Sequence, residues 1–144
     1  MPISKSFPIK QARSFENYLI AVENCGTGNV NFNFVFSNGV KIDLVADKPI
    51  QVCKIQPGRD VKRIVLWFNP VNAVLTSIQL FDKFGLKLID VGMPEEERKK
   101  ANHKTYETQL EDGERIIGFK SRRKGATQAV HFDFQFLIGN MWLF

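Results

Sequence analysis

The sequence predicts an all-β domain with pseudo-threefold organisation. Two patterns carry this prediction. Phe132, Phe134 and Phe136 alternate with His131, Asp133 and Gln135, the period-two signature of a strand with one buried face. Three segments, about 16–45, 60–91 and 113–144, each repeat one order: apolar strand, polar loop, second strand, turn glycine, third strand. Helical patterning is scarce beside them. A single domain over residues 1–144 suffices, because a chain of 144 residues can bury a core without disulfide help.

Phe7-Pro8-Ile9-Lys10 is a candidate strand ahead of unit one. Gln11 to Ile20 has a helical alternative through Ala12, Phe15 and Leu19, but its second half reads better as strand. Unit one uses Tyr18–Val22, Phe32–Phe36 and Val40–Val45, with Gly39 at its turn. Ser37-Asn38-Gly39 suits a hairpin because Asn and Gly tolerate positive φ. Ile50–Ile55 then leads through Pro57-Gly58 into unit two, made of Ile64–Phe68, Leu75–Phe81 and Leu86–Val91 around Gly85. Pro94 to Ala101 is the clearest helix, with Pro at a first position and i,i+4 pairs Glu95–Lys99 and Glu96–Lys100. It has no apolar face, so a solvated turn is expected. Thr105–Leu110 leads through Asp112-Gly113 into unit three: Ile116–Phe119, Val130–Ile138, the turn glycine Gly139, and Met141–Phe144.

Thirteen Phe stand against two Tyr and two Trp. Phe has no polar handle, so most of these rings should lie in the core. No apolar run approaches the roughly 18 residues of a membrane helix, and no secretory h-region opens the chain. Cys25 and Cys53 are too few and too far apart for a disulfide framework, which predicts free thiols and a cytoplasmic location. A net charge of +5 favours acidic partners.

Cys25-Gly26-Thr27-Gly28 imitates a dinucleotide fingerprint, but Asn31 stands where the third glycine should be and a strand follows instead of a helix. His131 and Asp133 share one strand face and could pair as base and orienting acid. No nucleophile or further ligand accompanies them, so a polar outer face is the preferred reading, with no metal and no cofactor. Lys120, Arg122, Arg123 and Lys124 form the densest positive cluster, read as a hairpin loop that could grip an acidic surface. A nucleic-acid platform is not expected, because that needs exposed aromatics interleaved with charge. Trp67 lies in an apolar run and reads as core, whereas Trp142 is a candidate for stacking on a sugar.

Val61-Lys62-Arg63-Ile64, Ile78 to Gly85, Tyr106 to Leu110 with Gly113 to Gly118, and Phe132 to Ile138 resemble the strands and turns of jacalin-related lectins. The resemblance covers roughly residues 60–140. It implies a β-prism, three four-stranded sheets about a pseudo-threefold axis with about twelve strands, and carbohydrate binding without catalysis. A β-trefoil shares the threefold logic and is the rival, with a β-sandwich as the further alternative. The family's sugar site resembles a glycine-rich N-terminal turn facing a Gly-x-x-x-Asp loop. This sequence begins Met1-Pro2-Ile3 and reaches Phe144 without such a loop, so no sugar-binding residue carries across.

The expected function is therefore a non-catalytic binding or assembly module. It would be an intracellular structural or adaptor protein that contacts an acidic protein surface through Lys120, Arg122, Arg123 and Lys124. The alternative is a glycan-binding lectin domain, with Trp142 at the ligand. Oligomerisation is left open, and fold-level likeness alone does not choose between the two uses.

Overall fold

The computed structural model describes residues 9–11, 17–25, 32–42, 49–123 and 131–140, with backbone alone for 9–11, 42, 121–123, 131–133 and 140. Its strands are β1 (Ile9–Gln11), β2 (Leu19–Asn24), β3 (Phe32–Phe36), β4 (Lys41–Ile42), β5 (Gln51–Lys54), β6 (Arg63–Phe68), β7 (Leu75–Phe81), β8 (Lys87–Gly92), β9 (Lys104–Gln109), β10 (Glu114–Arg123) and β11 (His131–Asn140). Among the described residues one helix, α1 (Glu95–Lys100), lies between β8 and β9. The all-β expectation holds.

The strands form three sheets. Sheet 1 has the order β4-β3-β2-β5, sheet 2 the order β8-β7-β6-β9, and sheet 3 the order β1-β11-β10. Sheets 1 and 2 are the same Greek key: three strands joined by hairpins, then a fourth that returns beside the first. Sequence order alone had attached Ile50–Ile55 to unit two and Thr105–Leu110 to unit three. Instead β5 pairs with β2 (Val22 opposite Cys53) and β9 pairs with β6 (Leu66 opposite Tyr106). Each of these strands closes the sheet before it, because its hydrogen-bond partner is the first strand of the preceding unit.

Sheet 3 departs from this order. Next to β11, where β4 and β8 stand in the other sheets, lies β1, parallel to it, with Ile9 opposite Leu137. Met141–Phe144, the expected third strand, falls outside the described residues. Gly139 is not a turn glycine: it is held between Gln11 and Arg115 as an interior residue of β11. Gly39 and Gly85 do turn the chain, with φ of 85° and 81°. Their turns are fastened by side chains: Asn38 Oδ1 accepts from the Val40 N–H at 3.0 Å, and Asp82 Oδ1 accepts from Phe84 and Leu86 at 2.9 Å each.

All three sheets face one core. Alternation sends Phe32, Phe34 and Phe36 of β3, Ile64 and Leu66 of β6, Ile78 and Leu80 of β7, and Phe134, Phe136 and Ile138 of β11 into it. The Phe34 ring stacks on Phe119 at 4.1 Å and meets Phe136 edge-on at 5.7 Å, while Phe119 and Phe136 lie 5.4 Å apart. Sheets 1 and 3 thus meet through aromatic rings in the offset and edge-to-face arrangements such rings favour. Sheet 2 contributes mostly aliphatic side chains.

Sheets 1 and 2 are also joined at an edge. The Gln51 side-chain amide donates to the Asp90 carbonyl at 3.3 Å and accepts from the Gly92 N–H at 3.2 Å. The Cys53 thiol reaches the same carbonyl at 3.7 Å. Two side chains of β5 therefore cap backbone groups on the edge of β8. Gly92 has φ +112°, and a Cβ there would run into the Thr76 carbonyl oxygen, so only glycine fits this position.

Phe134→Ala is expected to destabilise the fold by about 3–5 kcal/mol in chemical denaturation; a loss below about 1 kcal/mol would show that its core position is wrongly assigned. Gly92→Ala should cost about 1–3 kcal/mol from backbone strain alone.

Candidate functional site

Of the residues singled out in the sequence, Lys120, Arg122 and Arg123 lie on β10, opposite Gln135, Phe132 and His131 of β11. The cluster is thus largely strand rather than hairpin loop. Pairing with β11 carries β10 past its last core residue, Phe119, and a register shift falls between Lys120 and Arg122. The Lys120 side chain is exposed. Lys124 and Trp142 lie outside the described residues. His131 and Asp133 are placed on β11 by their backbone alone. Both described cysteines are thiols, and burial pushes the Cys53 thiol up from its ordinary value. Among the described residues no group of His, Cys, Asp and Glu could hold a metal, and no helix is long and apolar enough to cross a membrane.

Trp67 and α1 form one unit on the outer face of sheet 2. Trp67 is half-buried, and its indole N–H donates to Gln79 Oε1 at 2.8 Å. Arg98, from α1, covers the ring with its guanidinium 4.5 Å from the centroid. The helix lacks the apolar face that would normally anchor it, and Arg98 takes that role. The side chain is 1 % exposed, with Nη1 3.5 Å from Asp90 Oδ1. Among the described residues its Nε and Nη1 find no hydrogen-bond partner. The rest of α1 is solvated, with acidic residues in the first turn, basic ones in the last and a Glu95–Lys99 pair at 3.4 Å. Because Arg98 lies on the indole face, Trp67 offers no open stacking platform on that side.

His103 closes this strap. Its N–H bonds to the Arg98 carbonyl at 3.0 Å, and its Nδ1 lies 3.0 Å from Thr76 Oγ1. Burial, and secondarily the Arg98 charge, push the imidazole below its ordinary value.

An open cleft lies at the end of the molecule where three connections meet. Gly58–Lys62 (between β5 and β6), Asp82–Phe84 (after β7) and Asp112–Arg115 (into β10) enclose a cleft of about 400 Å³. Ion pairs line it: Arg59–Asp82 at 3.3 Å, Lys62–Asp112 at 2.6 Å and Arg115–Asp60 at 2.8 Å. The hydrogen bond and charge of Lys62 hold the Asp112 carboxyl below its usual range. Arg115 also lies over the Tyr18 ring, 4.8 Å from its centroid. Phe84 stands at the rim with 79 % of its surface exposed, and Lys83 lies over its ring.

A second, larger cleft of about 950 Å³ continues from the first, sharing Gly58, Arg59, Asp60 and Arg115. Its wall is mainly apolar, with Tyr18, Ala21, Val35, Val52 and Ile55. Neither cleft includes the basic end of β10. Sequence reading did not find this surface because its residues come from turns far apart in the chain. The one local signal was an aromatic ring at the tip of a tight turn, Phe84 in Asp82-Lys83-Phe84-Gly85.

No known protein family matches the sequence, and no curated protein does either.

Arg98→Met is expected to leave stability within about 1 kcal/mol of the parent, or to raise it, because the cation is buried with two N–H groups unsatisfied; a loss of several kcal/mol would show that its charge is needed. His103 adds a pH dependence. The unfolded chain protonates first, so the stability present above about pH 6.5 falls as pH drops below it. Thermal melts at several pH values should show this decline, and His103→Gln should flatten it.

Proposed function

We propose that this chain is a non-catalytic binding or assembly module on a jacalin-like, pseudo-threefold β-prism scaffold, and that it engages an acidic protein surface. Two observations support the scaffold. The same Greek-key order recurs in sheets 1 and 2, and sheet 3 contains the same opening hairpin, β10–β11, packed on the shared core. The acidic partner rests on one observation: Lys120, Arg122 and Arg123 lie on a strand whose backbone is paired with β11, across one register shift. Pairing fixes the backbone that carries these cations, so less ordering is needed on binding than for a loose loop. Such a cluster of charge steers encounter more than it adds affinity, and salt screens it.

The test is binding of a labelled oligo-glutamate peptide, followed by fluorescence anisotropy at about 50 mM and about 300 mM salt, with a glycan array beside it. Binding should weaken at the higher salt. A K120E/R122E/R123E variant should bind at least tenfold more weakly at low salt, by the order of a charge-pair reversal at several sites, while its thermal melt stays unchanged. Equal affinity would remove the basic strand end from the proposal. Glycan capture that survives high salt and is competed by free sugar would replace the acidic partner with a carbohydrate.

A further inference from the structure

We infer that this chain pairs with a second copy of itself through the end carrying Phe84, each copy placing its Phe84 ring in the apolar cleft of the other. This surface is separate from the basic end of β10, so the inference stands or falls independently of the acidic partner.

Three observations carry it. The first is the ring itself. Phe84 is 79 % exposed, and Leu86 in the same turn is 52 % exposed. The turn does not need the ring: Asp82 Oδ1 holds it through the backbone N–H groups of residues 84 and 86, and Gly85 supplies the positive φ. A large apolar side chain at a turn tip, with no role in the turn, is free to act as an anchor in a partner.

The second is a receptor of suitable character next to it. The cleft of about 950 Å³ has an apolar wall that includes Val52, itself 48 % exposed, and the half-exposed Tyr18. It joins the smaller cleft at Gly58, Arg59, Asp60 and Arg115. Knob and hole therefore lie side by side on one surface. A two-fold axis through that junction exchanges them, which is the self-complementary arrangement a symmetric dimer requires. Eleven residues line one cleft and 17 the other, four of them shared. Several of these, such as Leu19, Val61 and Ile116, are buried, so the contact is smaller than the roughly 20–30 residues a side of a standard interface and the dimer correspondingly weak.

The third is charge. The chain as a whole carries +5, which opposes self-association. This end does not share that excess. In the smaller cleft cations match carboxylates one for one, and the larger adds one of each, Lys54 and Glu23. A balanced, alternating surface can face its own copy with opposite charges opposed, whereas an acidic partner would find as much repulsion as attraction there.

Sedimentation velocity of the full chain, from about 1 µM to about 500 µM, tests this. The expected result is a monomer–dimer equilibrium. Phe84→Ser, on the knob, and Val52→Lys, in the hole, should each weaken it at least about tenfold, with circular dichroism and melting temperature unchanged. An equimolar mixture of the two variants should not restore wild-type affinity, because the mixed dimer keeps only one intact knob-in-hole contact. A wild-type chain that stays monomeric throughout would overturn the inference. So would a dimer that both variants leave intact.

Discussion

Three sheets can share one core only if each sends a continuous apolar face inward, and here the contact between Phe34, Phe119 and Phe136 closes that arrangement. Phe34 belongs to sheet 1, while Phe119 and Phe136 are neighbours across the hairpin of sheet 3. Their stacked and edge-on geometry sets how close the two sheets come. Sheet 2, with its aliphatic face, fills the remaining side. Strand alternation makes this face possible, and the buried rings make it specific: large, flat side chains pack well in few relative positions.

The other constraints work from outside the core. Gln51 replaces a missing neighbour for the edge of β8, offering a donor and an acceptor with the spacing that Asp90 and Gly92 need. This ties the second Greek key to the first and leaves that part of the edge unavailable for pairing with another chain. On the outer face of sheet 2, Arg98 holds α1 down through the Trp67 ring and the Asp90 carboxylate. Burying a cation this way is costly in solvation, and the indole face recovers only part of that cost. The strap is therefore held by a buried cation, with His103 on Thr76 beside it, rather than by an apolar face.

Much of the fold was legible in the sequence because its signals are local. Phe32, Phe34 and Phe36 announce β3, Gly39 and Gly85 announce their turns, and Pro94 with the Glu–Lys pairs announces α1. What could not be read was which strand pairs with which. Ile50–Ile55 looks like a lead-in to the next unit, and only a hydrogen-bond ladder with β2 reveals it as the end of the previous one. The reach of β10 through Lys120–Arg123 was hidden for a related reason: those residues have no apolar alternation and are held extended by β11. Arg98 illustrates a different limit. An arginine in a charged run gives no local sign of burial, since its neighbours in sequence are solvated and its neighbours in space, Trp67 and Asp90, come from two other strands. The candidate surface around Phe84 is assembled from three turns, so the sequence marks it only by one aromatic ring at a turn tip and gives no sign of the turns that join it.

The parallel pairing of β1 with β11 has a consequence for how the molecule assembles over time. Sheets 1 and 2 are built from neighbouring hairpins and short returns, so each can nucleate from contacts close in sequence. Sheet 3 can form its β10–β11 hairpin in the same way, but it is complete only when Ile9 finds Leu137 across nearly the whole described chain. Closing so long a loop costs entropy before it gains any contact. On a ribosome the first two sheets can therefore be in place while the third still waits for its partner strand, and β1 must remain unpaired through most of synthesis. Among the described strands, the pairing most distant in sequence is the one that completes the fold.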